Sequence, residues 1–170
     1  MNNEVNNIET TLSQELISIQ SNWDIMPIPP LHSDYLPVGV YDCSFQELNN
    51  TFGTNICRKE LMDKLDKYIQ KLKQAGISGW IIVDGSFITS KTRPNDIDII
   101  LVRKRDDFLL KPVTEEENEI LDEDRVKNEY KIHLIPTIEG DRATTAMTSF
   151  FSRVRDKGPD VKKGLVRLTI

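Results

Sequence analysis

The stretch whose reading decides the fold is IIVDGSFITSKTRPNDIDIILV, residues 81–102. An apolar run ends in Asp84 and a Gly-Ser, a polar interval follows, and a second apolar run opens with an Asp-x-Asp, Asp96 and Asp98. Residues two apart on a strand share a face, so Asp96 and Asp98 project together while Ile97, Ile99 and Leu101 point the other way. Adjacent carboxylates repel, and burying both uncompensated is costly or forces protonation. A divalent cation removes that conflict. Hard oxygen donors at this spacing suit Mg²⁺ or Mn²⁺; Mg²⁺ takes one or two carboxylates and completes its shell with phosphate oxygens and water.

The other half of the stretch points the same way. Gly85 lets backbone approach a ligand closely, and Ser86 can open a short helix whose N–H groups and hydroxyl meet a phosphate. Nine residues separate Ser86 from Asp96, enough for that helix and a return turn at Pro94-Asn95. The two motifs then meet at one strand end, with Lys91 and Arg93 on the intervening loop able to neutralise phosphate charge. Either motif alone is weak, since a Gly-Ser is often a turn and an Asp-x-Asp a solvated strand. Together, on consecutive strands, they describe a site for a nucleoside triphosphate and its metal.

Working outward, GWIIVD is apolar on both faces and reads as a central strand. Before it, Leu61, Leu65, Ile69 and Leu72 recur at three- and four-residue steps, which predicts a helix over 55–75 with Gly76 behind it as a C-cap. Ser44 and Glu47 have capping-box spacing ahead of a short helix that Gly53 ends. After DIDIILV, the acidic run LLKPVTEEENEILDEDRVKNEY reads as a solvated helix and loop. YKIHLIP and GLVRLTI supply two further strands. Between them ATTAMTSFFSRVRDKG is helical, with Met147, Phe150, Phe151 and Val154 as an apolar face. Phe150 and Phe151 read as core rather than as a stacking platform. The pattern is a small mixed-sheet α/β (α+β) domain over 36–170, with the site at one sheet edge. Residues 1–35 form an N-terminal amphipathic helix, with Val5, Ile8, Leu12, Leu16, Ile17 and Ile19 on its face, and a proline-rich arm, MPIPPLHSDYLPVG, that runs on to Gly39. The helix packs on the domain or on a partner protein.

A length of 170 residues suits one domain, and a net charge of −5, from 27 acids and 22 bases, argues against a general grip on nucleic acid. Cys43 and Cys57 have neither the number nor the spacing of a metal site or a disulfide framework. No apolar run approaches bilayer length, and the polar start carries no signal-peptide pattern, so a soluble cytoplasmic protein is expected. The basic residues Arg153, Arg155, Lys157, Lys162, Lys163 and Arg167 stand out in an acidic chain. They read as a solvated face or as a patch for RNA or a phosphorylated partner.

The run VDGSF followed by DIDI resembles the signature of the DNA polymerase beta-like nucleotidyltransferase superfamily. Three further stretches, LPVGVYDCSFQELNNTFGTNICRKEL, AGISGWIIVDGSFITSKTRPNDIDI and FFSRVRDKGPDVKKGLVRLTI, are similar to small bacterial and phage-associated proteins of a largely uncharacterised branch. The likeness runs from about Leu36 onward. It implies a minimal nucleotidyltransferase fold in which Gly85 and Ser86 contact the triphosphate and Asp96 and Asp98 bind Mg²⁺. Active members carry a third carboxylate on a later strand, and here the residue of YKIHLIP facing the site is His133. A neutral imidazole is a poor Mg²⁺ ligand but a competent general base. Glu129 and Glu139 flank that strand and substitute only under another register.

Two functions follow. One is an enzyme that moves a nucleoside monophosphate from a triphosphate to a hydroxyl of RNA, a protein or a small molecule, with Asp96, Asp98 and His133 as its catalytic residues. The other is a catalytically degenerate binding or regulatory partner in a toxin-antitoxin or phage-defence system. An inert structural subunit encoded by a phage is a third, weaker reading.

Overall fold

A computed structural model describes residues 28–110, 113–155, 157–158 and 160–170. The amphipathic helix expected over 1–22 lies outside the described residues. Five strands form one sheet in the order β1-β5-β2-β3-β4, with β1 Val40–Asp42, β2 Gly79–Asp84, β3 Ile97–Arg103, β4 Ile132–Ile138 and β5 Leu165–Thr169. β1 and β4 run parallel to their neighbours β5 and β3, and the β5-β2-β3 centre is antiparallel. The sheet is therefore mixed, as the sequence pattern implies.

Six α-helices complete the described chain: α1 Phe45–Phe52, α2 Ile56–Gln74, α3 Arg105–Leu110, α4 Glu115–Ile120, α5 Glu123–Tyr130 and α6 Arg142–Phe151. The capping box of α1 forms as its spacing predicts. Ser44 Oγ accepts the Glu47 N–H at 3.2 Å, and the Glu47 carboxylate accepts the Ser44 N–H at 2.7 Å. The expected helix over 55–75 is α2, started by Asn55 and followed by Gly76 in a left-handed conformation. Leu61, Leu65, Ile69 and Leu72 are buried against the sheet core, which is made of Ile81, Val83, Ile99, Leu101, Leu134 and Val166. β2 is buried along nearly its whole length and is the middle strand of the five.

Three differences from the sequence pattern have physical causes. β1 is only three residues long, too short for an alternation to register, and is held by its parallel pairing with β5. The acidic run yields two helices rather than one solvated face. Glu117 of α4 turns inward to pair with Arg103 at the end of β3, while Val126 and Tyr130 of α5 enter the core. α6 stops at Phe151, because the chain beyond it pairs Arg153 with Lys162 in an isolated antiparallel bridge.

The described part of the proline-rich arm lies on the domain. Ile28 and Leu31 pack against the core, Leu36 is buried, and the Leu36 carbonyl accepts the Gly164 N–H at 2.9 Å. Among the described residues, no helix is long and apolar enough to cross a membrane.

Candidate functional site

The site is built where β2 stops and β3 begins. Gly85 leaves β2 with φ of +78°, a conformation that side chains other than glycine adopt at a cost. A Cβ at this position would stand 1.9 Å from Asp98 Oδ2. Glycine is therefore needed twice over, for the turn and for the carboxylate that lies against it. The expected helix at Ser86 is a single 3₁₀ turn, Gly85–Ile88, anchored by the buried rings and branches of Phe87 and Ile88. So short a turn has little helix dipole, and what it offers a phosphate is the Ser86 hydroxyl and nearby backbone N–H groups.

The loop from this turn to Asp96 is held from behind by α2. Arg58, 3% exposed, donates to the Phe87 carbonyl at 2.6 Å and to those of Thr89 and Lys91 at 2.7 Å each. It also donates to the Phe52 carbonyl at 3.1 Å, and its guanidinium stacks 5.3 Å from the Phe87 ring centroid. Asn55, which caps α2, donates to the Thr92 carbonyl at 2.9 Å. Two side chains of one helix turn thus fix four carbonyls of one loop, satisfying a buried cation that has no carboxylate beside it in these bonds. From the front, the arm contributes Asp34, whose carbonyl accepts the Ser90 N–H and whose carboxylate accepts the Ser90 hydroxyl.

Strand register then aligns four charged or titratable side chains across the sheet. Asp98 stands opposite Asp84 in the β2/β3 pair and opposite His133 in the β3/β4 pair. Lys163, just ahead of β5, donates to Asp84 Oδ1, and His133 Nδ1 lies 3.1 Å from Asp98 Oδ1. The row reads Lys163, Asp84, Asp98, His133: one cation, two carboxylates, one imidazole. Asp84 is 7% exposed, and burial pushes its carboxyl pKa up, against the pull of the Lys163 charge; the Asp98 charge adds to the rise. An ionised Asp98 only accepts hydrogen bonds, so it fixes the proton of a neutral His133 on Nδ1 and leaves Nε2 with its lone pair toward solvent.

A cleft of about 990 Å³ opens over this row. Gly85, Ser86, Lys91, Asp96, Asp98 and His133 all line it, so the structure brings together every expected site residue except Arg93, which is exposed outside it. Neither Glu129 nor Glu139 reaches it; Glu129 faces Arg125 on α5. From the basic segment Arg153, Arg155 and Lys163 line the cleft, whereas Arg167 pairs across β1/β5 with Asp42. Phe151 is core, as expected, but Phe150 is 54% exposed and lines the cleft wall.

Four contributors were not assigned to this site from the sequence: Asp84, Arg58, Asp34 and Lys163, the last read only as part of a basic run that is a solvated face or a patch for RNA or a phosphorylated partner. A signal existed for two of them. Arg58 stands three residues before Leu61, on the apolar stripe of α2, and Asp84 closes an apolar strand directly before Gly-Ser. For Lys163 and Asp34 the pairing is purely long-range.

Among the described residues no group of three or more His, Cys, Asp or Glu side chains is gathered as a metal would gather them. Asp96 and Asp98 nevertheless provide two hard carboxylates, the number that Mg²⁺ uses when phosphates and water supply the rest. This donor set fits a metal that arrives with a polyphosphate rather than one held in a protein cage.

A family model described as "Family of unknown function (DUF6932)" matches residues 29–169. No curated protein and no solved structure matches the chain.

Proposed function

The chain belongs to DUF6932, and for it we propose a metal-dependent nucleotidyltransferase that works in the β2–β3 cleft. The observation that carries the reading is the juxtaposition of opposite charges around one glycine turn. Asp96 and Asp98 face Gly85 and Ser86 in a cleft also lined by Lys91, Arg153, Arg155 and Lys163. Carboxylates alone repel a triphosphate and cations alone have no use for a metal. The mixture suits a polyphosphate that brings a divalent ion with it.

In this reading Ser86 and Lys91 bind phosphate oxygens, and Asp96 and Asp98 hold Mg²⁺ or Mn²⁺. The metal, when bound, supplies neutralisation of phosphate charge. An acceptor hydroxyl oxygen attacks the α-phosphorus, the bond from that phosphorus to the bridging oxygen breaks, and pyrophosphate leaves. His133 Nε2 takes the hydroxyl proton. Chemistry of this class depends mostly on positioning and electrostatics, so a loop fixed by Arg58 and Asn55 is an asset. Arg93 has no role in it. The acceptor is an RNA, a protein or a small molecule.

The test is incubation with each labelled nucleoside triphosphate, Mg²⁺ or Mn²⁺, total RNA and lysate protein, comparing wild type with Asp96→Ala/Asp98→Ala. Label transferred by the wild type alone establishes the transferase and its acceptor class. A second reading, a binding module without turnover, draws on the engagement of the further carboxylates of the cleft: among the described residues Asp34 accepts from Ser90 and Asp84 is bonded to Lys163, so neither stands free beside Asp96 and Asp98. Saturable, magnesium-dependent nucleotide binding with no transfer selects it, and no binding at all removes both.

A further inference from the structure

Lys163 is an unusual lysine. It is 8% exposed, its ammonium donates to a carboxylate that is itself 7% exposed, and both side chains line the cleft. An ammonium carries three donors, and among the described residues Asp84 Oδ1 is the one acceptor bonded to it. A lysine buried for structure alone gains nothing by opening on a cleft, since a buried pair is often no more stable than apolar side chains of the same size. The backbone around it is fixed. The Lys163 N–H donates to the Ser152 carbonyl at 2.7 Å and the Gly164 N–H to that of Leu36 at 2.9 Å, so the side chain projects from a set position.

Resting on the nucleotide reading above, we infer that Lys163 is a phosphate-binding residue of the cleft and that Asp84 is the positioning residue that aims it. One donor stays on Asp84 and the other two meet oxygens of the polyphosphate. The row across the sheet then divides by task. Asp84 and Lys163 on the β2/β5 side receive the phosphate chain, while Asp98 and His133 on the β3/β4 side receive the metal and the acceptor proton. Asp84 is thus kept out of metal binding by its own lysine, which explains how a third carboxylate can stand beside Asp98 without serving as a metal ligand.

The experiment is calorimetric titration of the full chain with Mg²⁺–tripolyphosphate and with each Mg²⁺–nucleoside triphosphate. It compares wild type, Asp96→Asn/Asp98→Asn and the neutral pair Asp84→Asn/Lys163→Gln. Removing both charges of the buried pair avoids an uncompensated ion, so the pair variant is expected to fold with a wild-type circular dichroism spectrum. Losing charge-assisted bonds should weaken its affinity about 10- to 100-fold. A folded pair variant that binds as tightly as wild type overturns the inference and leaves the nucleotide reading standing. Wild type that binds none of the probes overturns both. Should the pair variant not fold, ¹⁵N spectra of the lysine ammonium groups in wild type decide. The Lys163 resonance is expected to shift on saturation with tripolyphosphate more than that of any lysine outside the cleft, and an unmoved resonance overturns the assignment.

Discussion

The β2–β3 hairpin core carries a buried ion pair at each end, and the two ends behave differently. Where β2 stops, Asp84 pairs with Lys163; where β3 stops, Arg103 pairs with Glu117. Side-chain exposures are nearly the same, 9% and 10% at the first and 10% and 12% at the second. Burial alone therefore does not tell the two pairs apart. The surroundings do. Arg103 stands opposite Gly79, pairs with Glu117 of α4 and is not among the residues that line the cleft. Asp84 stands opposite a second carboxylate, beside a glycine turn, and opens on a cleft lined with further cations.

Breaking the closed end should have the larger effect on stability. Glu117→Gln takes the charged partner from the Arg103–Glu117 pair, and we expect a loss of about 3 kcal/mol in chemical denaturation, with the folded fraction titrating with Mg²⁺–nucleoside triphosphates as wild type does. An equal loss of affinity would show that the two ends are not independent.

The open end is better probed through its glycine. Gly85→Ala places a Cβ against Asp98 Oδ2 in a left-handed backbone, and the strain and clash together should cost about 2–4 kcal/mol while displacing the carboxylate. Gly76 is the control, since it has φ of +69° with nothing within 4 Å of an added Cβ. Gly76→Ala should cost about 1 kcal/mol and leave the cleft untouched. Equal effects at the two glycines would mean that Asp98 can move aside freely.

The smallest expected effect lies at the sheet edge, in the exposed pair of Asp42 and Arg167. Arg167 holds the Asp42 carboxyl below the usual value of 3.8, chiefly by hydrogen bonding to it. A carboxylate depressed in the folded state stabilises fully above that unfolded value and loses its contribution as pH falls through it and then through the folded value. Both side chains are more than 40% exposed, so water and salt screen the pair. Asp42→Asn should lower stability slightly at pH 7 and at every pH above about 4, and the difference from wild type should fade as pH falls and Asp42 takes up its proton. A difference that persists at low pH would point to packing rather than charge.

Much of this was legible in the sequence because it rests on local periodicity. The Leu61–Leu72 stripe fixed α2 to within a residue at each end, and four of the five strands stand where apolar runs predict them. The cleft was legible as far as Gly85, Ser86, Asp96, Asp98 and His133, because two strands joined by a short loop bring their facing ends together and β4 pairs in register beside them. What the sequence hid depends on strand order. Asp84 meets Lys163, 79 residues further along the chain, only because β5 inserts beside β2. Glu117 was hidden by its neighbours, since one inward acid in a run of acids leaves no pattern. The expected helix at Ser86 shrank to one turn because Phe87 and Ile88 are drawn into the core.

The late strand β5 also has a consequence for how the chain is made. β1 has no described partner except β5, and β2 gains its second neighbour only from it. On the ribosome, β2, β3 and β4 can assemble while β2 still presents an unpaired edge bearing Ile81 and Val83, and that edge is a template for pairing with another chain. The same segment delivers Lys163. Closing the sheet and bringing the buried ammonium to Asp84 are therefore one event, so a nascent chain cannot complete the Asp84–Lys163 end of the cleft before its sheet is sealed.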